Sequence, residues 1–142
     1  MANVRSLNKE KYNISNNRFR ELLYYCLQYP EWQDELSAIR NSLKGISYSD
    51  VRVMSGAGNP TQIAAMKSEK LARKCAAVEK AATMADEELY GYLMYAVTRE
   101  GISFNYLKMM KGIPCERDRY YNSRRKFYFY LDKILNDENI YT

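Results

Sequence analysis

Arg117, Arg119, Tyr121, Asn122, Arg124, Arg125, Lys126 and Lys133 all fall within one stretch, GIPCERDRYYNSRRKFYFYLDKIL, from Gly112 to Leu135. These residue types share a chemistry. Lys and Arg neutralise phosphates and release their counterions, and Arg or Asn near a helix start can read base edges through paired hydrogen bonds. Between Lys111 and Lys126 stand Lys111, Arg117, Arg119, Arg124, Arg125 and Lys126 against Glu116 and Asp118, a balance of +4 in 16 residues. The whole 142-residue chain carries only +5, so nearly all of the surplus is concentrated there. Projected at about 100° per residue, Tyr120, Phe127, Tyr128, Leu131, Ile134 and Leu135 share one wide apolar face. Arg119, Lys126 and Lys133 follow each other at seven-residue spacing on the opposite side, flanked by Asn122 and Arg125. By position, Arg117, Arg119, Tyr121 and Asn122 suit a DNA groove, whereas Arg124, Arg125 and Lys126 suit phosphates. Phe129 interrupts the polar face, and a DNA-reading helix gives no reason for it beyond a thymine methyl or another subunit.

Other chemistries find little support. The chain has no histidine, which removes the commonest general base and with it any Ser-His-Asp or Cys-His centre. Its three cysteines, Cys26, Cys75 and Cys115, are odd in number and far apart with no CxxC pair, so neither a disulfide framework nor a zinc site is expected. The loop SGAGNPT lacks the GK[ST] ending and the preceding strand of a phosphate-binding loop. Glu87 and Glu88 open a helix, where negative charge favours the dipole, and are not a catalytic pair. The expectation is a non-enzyme with no cofactor and no metal. No apolar run approaches the roughly 20 residues that span a bilayer, and MANVRSLNKEKYNISNNR lacks a signal-peptide core. A soluble, cytoplasmic protein with no membrane partner is expected.

The elements that must position the basic stretch read as helices throughout, so the fold class is all-α, a multi-helix domain with a C-terminal helix-turn-helix. Residues 1–45 form an N-terminal helical pair. Its first helix runs from Asn16 to Gln28, with Phe19, Leu22, Leu23, Cys26 and Leu27 recurring at three and four residues, and Tyr29-Pro30 ends it. The second, PEWQDELSAIRNSLK, begins on Pro30 and buries Trp32, Leu36, Ile39 and Leu43 until Gly45 stops it. Residues 46–59 form a Ser/Gly-rich loop, and Asn59-Pro60 reads as an N-cap followed by proline at the first helical position. Residues 60–85 form a long Ala-rich helix with Ile63, Met66 or Ala64, Leu71, Cys75, Val78 and Ala82 facing inward. Residues 86–142 form the helix-turn-helix unit. Asp86 caps EELYGYLMYAVTRE, Ser103 caps FNYLKMMK, and Gly112-Ile113-Pro114 turns the chain into the long basic helix. Such a unit braces a groove-reading helix with a shorter one. Lys111 stands where these units normally bury a residue, and Met110 is expected to take that place through a shifted register. The 14 tyrosines suggest base stacking, but Tyr24, Tyr25, Tyr90, Tyr92 and Tyr95 lie in amphipathic helices and read as core or interface.

RELLYYCLQYPEW, the GNPT loop and GISFNYL with GIPCERDRYYNSRRKFYFYL together resemble the RinA and ArpU type of late transcription regulators from phages and prophages of Gram-positive bacteria. The likeness spans most of the chain. It implies a C-terminal helix-turn-helix similar to region 4 of sigma factors that binds promoter DNA. Ser103 to Lys111 would be the supporting helix and Cys115 to Asn136 the recognition helix. Family members usually follow the turn glycine with an isoleucine-serine pair and an arginine pair, where this chain has Ile113-Pro114-Cys115-Glu116. The partners this implies are double-stranded DNA and, beyond it, host RNA polymerase. Two other classes fit the same elements. One is an oligomeric packaging protein of the small terminase kind, a homo-oligomer built through the Ala-rich helix. The other is a helical protein-interaction module anchored by Phe129 and Tyr130.

Overall fold

In a computed structural model of the protein, residues 9–44 and 60–138 are described, and every regular element among them is helical. A single turn, α1 (Lys9–Tyr12), leads through Asn13, at φ 56°, to Ile14, which is fully buried. Ser15 then caps α2 (Asn16–Leu27), its Oγ accepting the Arg18 N–H at 3.1 Å. This satisfies one of the free donors at the helix start. Only Gln28 separates α2 from α3 (Tyr29–Lys44), so α3 starts one residue before the proline rather than on it. The Gln28 carbonyl accepts the Trp32 N–H at 3.0 Å and carries the helix through the junction. Trp32 and Leu36 are buried, as the spacing predicts, and Ile39 and Leu43 are half-buried. The expected Gly45 stop, the 46–59 loop and the Asn59 cap lie outside the described residues.

The longest helix is α4 (Pro60–Ala85), which starts on the expected proline. It packs against α3 and against the last helix, α7 (Arg117–Glu138). Leu71, Cys75, Ala77, Val78, Ala81 and Ala82 are its buried positions. The expected inward placement of Ile63 and Met66 fails, since they are 54% and 66% exposed. At about 1.5 Å per residue, α4 is some 39 Å long and α3 some 24 Å, so α3 is too short to cover all of α4.

A turn at Asp86 to Leu89 leads into α5 (Tyr90–Val97), whose row Leu89, Leu93 and Val97 is buried as expected. Gly101, at φ 75°, redirects the chain into α6 (Phe104–Tyr106), where Ser103 Oγ accepts the Tyr106 N–H at 3.1 Å. The helix then widens into a π turn, Leu107–Lys111. One hydrophobic cluster joins all these elements, from Tyr12 and Ile14 to Leu135. Phe19 meets Tyr128 edge-on at 5.0 Å, and Arg18 pairs with Asp132 at 2.6 Å, so α2 is held to α7 by both packing and charge. The three cysteines are buried thiols, and burial pushes that of Cys26 far above its ordinary range, against the opposing pull of Arg124. No helix among the described residues is long and apolar enough to cross a membrane.

The turn glycine gives a direct test of this chain path. Gly112 sits at φ 66°, and a Cβ added there meets nothing within 4 Å, so Gly112→Ala should cost only the left-handed backbone penalty of about 1–2 kcal/mol. Gly91, in α5, is equally uncrowded and has no positive φ. Gly91→Ala should therefore stabilise by up to about 1 kcal/mol. Urea unfolding midpoints of the two variants should move in opposite directions.

Candidate nucleic-acid interface

The start of α7 is set by how the π turn closes. The Gly112 N–H donates to the Leu107 carbonyl, and so does the Ile113 N–H at 3.2 Å, six residues back. Gly112 supplies the left-handed conformation (φ 66°, ψ 39°) that lets the chain reverse. Ile113, 1% exposed, fills the angle between α6 and α7, and Cys115 is buried behind it. Lys108 Nζ donates to the Ile113 and Cys115 carbonyls at 3.5 and 3.3 Å, tying down the loop. The inward residues of the short helix are Phe104 and Leu107. Met110 does not replace Lys111 in the core as expected, for the π turn carries both to the surface and leaves Met110 66% exposed.

The basic residues of α7 separate into three groups. Arg119, exposed at the surface, is tied to two carboxylates: its Nε and Nη2 grip Asp86 at 3.2 and 3.1 Å, and Nη2 also reaches Glu88 at 2.8 Å. Ser123 Oγ donates to the same Asp86 carboxylate at 2.9 Å, and the Leu89 N–H does so at 3.3 Å. Asp86 is thus the joint between α4, the entry to α5 and the first turns of α7. Partial burial by itself would raise its carboxyl pKa, but the hydrogen bonds from Arg119, Ser123 and Leu89 outweigh it and hold it below the usual carboxylate range.

Arg124, expected on phosphates, lies in the core at 6% exposure. Its Nη1 donates to the Tyr120 hydroxyl at 2.8 Å, and Nε has no hydrogen-bond partner among the described residues. Position 124 is four residues from both Tyr120 and Tyr128, which places it on the apolar row. Both phenols are pushed upward by desolvation, which the nearby guanidinium only partly offsets.

The remaining members of the set face outward or lie at the edge. Arg117 Nη2 donates to Asn105 Oδ1 at 3.0 Å, with its guanidinium 5.5 Å from the Phe104 ring. Tyr121 is half-buried and meets Tyr120 edge-on at 4.9 Å. Arg125 donates to Asn122 Oδ1 at 2.7 Å. Lys126 is exposed, and Lys133 stands 4.8 Å from the Phe129 ring. Phe129 is itself half-buried, with the Tyr12 ring 5.5 Å away, and Tyr130 is half-buried against the same core. Both rings pack in part against the chain's own core and keep part of their surface exposed. Among the tyrosines, Tyr25 is core, Tyr90, Tyr92 and Tyr95 are half-buried, and Tyr24 is 56% exposed.

The Asp86 joint has a testable pH signature. Because its folded-state pKa is depressed, its stabilisation is present above the unfolded carboxylate pKa of about 4 and is lost as pH falls through the folded value. Asp86→Ala should cost about 0.5–2 kcal/mol at neutral pH, the usual loss of a capping carboxylate, and should flatten the acid limb of a stability-versus-pH curve. Arg124 gives a second test, since Arg124→Met removes the donor to the buried Tyr120 hydroxyl and should lower stability by about 1–3 kcal/mol, read as a lower urea midpoint, a loss that Tyr120→Phe in the same chain should reduce. Comparisons with protein-family models, curated proteins and solved structures each give no match.

Proposed function

We propose that the chain is a sequence-specific DNA-binding transcriptional regulator, with α6, the Gly112 turn and α7 as its helix-turn-helix. One observation carries this reading. Arg125, Lys126 and Lys133 lie outside the core row of a helix whose opposite face is locked in the core, and none of them is ion-paired with a carboxylate among the described residues. Cations on a rigid support that no carboxylate holds neutralise phosphates at little internal cost, Arg125 giving up only its bond to Asn122. Arg117, Tyr121 and Asn122, in the first two turns of α7, are the groups nearest base edges. Glu116 and Asp118 stand at the same entrance, and a carboxylate there suits the amino group of cytosine. Arg124 supports α7 from within the fold, and Arg119 is held at its surface by Asp86 and Glu88.

The resemblance to phage late regulators supports the same class, with promoter DNA as the target and host RNA polymerase as a further partner. A gel shift at two salt concentrations, using fragments that flank the chain's own gene, tests the reading. Lys126→Ala and Lys133→Ala should weaken binding to all fragments alike and lower the salt slope by about 1 each. Asn122→Ala should cost about 1–3 kcal/mol on the preferred fragment alone. Absence of binding at low salt, or binding indifferent to Arg125, Lys126 and Lys133, overturns it.

A further inference from the structure

The face made by α5, α6 and the π turn carries groups that DNA binding by α7 does not use. Met109 and Met110 are 84% and 66% exposed, and Tyr106 beside them is 37% exposed. Neighbouring large apolar side chains held in water are surface that the fold itself does not need, and flexible methionines suit partner surfaces. The π turn holds them there, a wide turn that is rare in helices and recurs at functional sites. Tyr106 stacks parallel on Tyr95, with centroids 6.2 Å apart, planes 3° from parallel and hydroxyls 3.3 Å apart. Above the Tyr95 ring lie Arg99, at 4.1 Å, and Lys111 Nζ, at 4.6 Å. Neither cation is ion-paired among the described residues, whereas Lys108 reaches Glu116 only at 3.9 Å. A groove between the start of α3 and α5, lined by Pro30, Gln33, Asp34 and Met94, shares Tyr95 and Arg99 with this patch, and the Asp34 carboxylate keeps acidic groups of a partner toward Arg99 and Lys111.

We infer that this face docks an acidic amphipathic helix of a partner protein. Apolar side chains at i, i+3 and i+4 of such a helix meet Tyr106, Met109 and Met110, and its carboxylates meet Arg99 and Lys111. Two competing occupants fit less well. A second copy of the chain would bring its own Arg99, Lys108 and Lys111 against the same cations, a like-charge contact that disfavours self-association. Single-stranded nucleic acid would need open aromatic faces on which bases stack, but Tyr95 is already covered by Tyr106, Arg99 and Lys111.

The test uses the full chain labelled at its methionine methyls, with Met109→Leu and Met110→Leu assigning the two signals. Two synthetic peptides share one leucine face, and their polar faces are glutamate in one and lysine in the other. The glutamate peptide should move the Met109 and Met110 methyl signals saturably while Met66 and Met84, on α4, stay in place. Arg99→Glu and Met110→Glu should each weaken this binding by about tenfold or more, the loss expected for an interface anchor. Met110→Glu should keep the melting temperature of the unsubstituted chain, since that side chain is exposed, which separates lost binding from lost folding. Lys126→Ala should leave peptide binding unchanged, which separates this surface from the DNA-binding reading. Absence of shifts with the glutamate peptide, or equal shifts with the lysine peptide, overturns the inference. So do Met109 and Met110 signals that move with protein concentration alone, or that move on adding oligothymidine.

Discussion

Everything that α7 presents to the outside depends on how its inner face lies against α4. At the buried positions of α4 the side chains are mainly small, with Ala77, Ala81 and Ala82 beside Val78. Small residues there let the large side chains of α7 come close, and Tyr120, Phe127, Tyr128, Leu131 and Leu135 are all essentially sealed from solvent. Burying each such side chain contributes about 1.5–3 kcal/mol, so the rotation of α7 about its own axis is strongly fixed. A helix held that firmly cannot turn its cations away from solvent. The direction in which Lys126 and Lys133 point is thus a consequence of packing on the other side of the same helix.

The helices themselves were largely legible in the sequence, because they announce themselves locally. Pro60, Ser103 and Gly112 mark ends by capping chemistry or by φ, and the apolar rows of α2, α3, α5 and α7 follow the helical period. Arg124 is legible too, for its charge suggests the surface but its spacing from Tyr120 and Tyr128 puts it on the core row. The capture of Arg119 is different in kind. Its partner, Asp86, is 33 residues away, and no local pattern ties the two together. Asp86 is expected to cap a helix from Glu87, but that helix begins only at Tyr90 behind Leu89, and Asp86 instead closes the preceding turn through the Leu89 N–H. Ile63 and Met66 show a third limit, since the period says which residues share a face but not where the covering helix ends.

The charged residues of the last helix therefore serve unlike ends although they stand side by side. Arg119 locks a joint, Arg124 is a buried donor to a phenol, and Arg125 braces Asn122 at the surface. A count of basic residues would treat them as equivalent. Their roles separate only once burial and partners are known, and the outward charge that remains on α7 is smaller than the sequence total suggests.

The π turn at Leu107–Lys111 bears on how this chain should be aligned with others. A π turn is what an α-helix becomes when it accommodates one additional residue without shifting the elements on either side. Leu107 and Ile113 keep their inward places, and the surplus is absorbed in the Lys108 to Lys111 segment. Aligned without a gap to a chain with an ordinary α turn here, positions before Leu107 would match and those after Gly112 would be displaced by one. Met110 and Lys111 both stand outside the core here, so the wide turn presents two successive surface positions before the turn glycine.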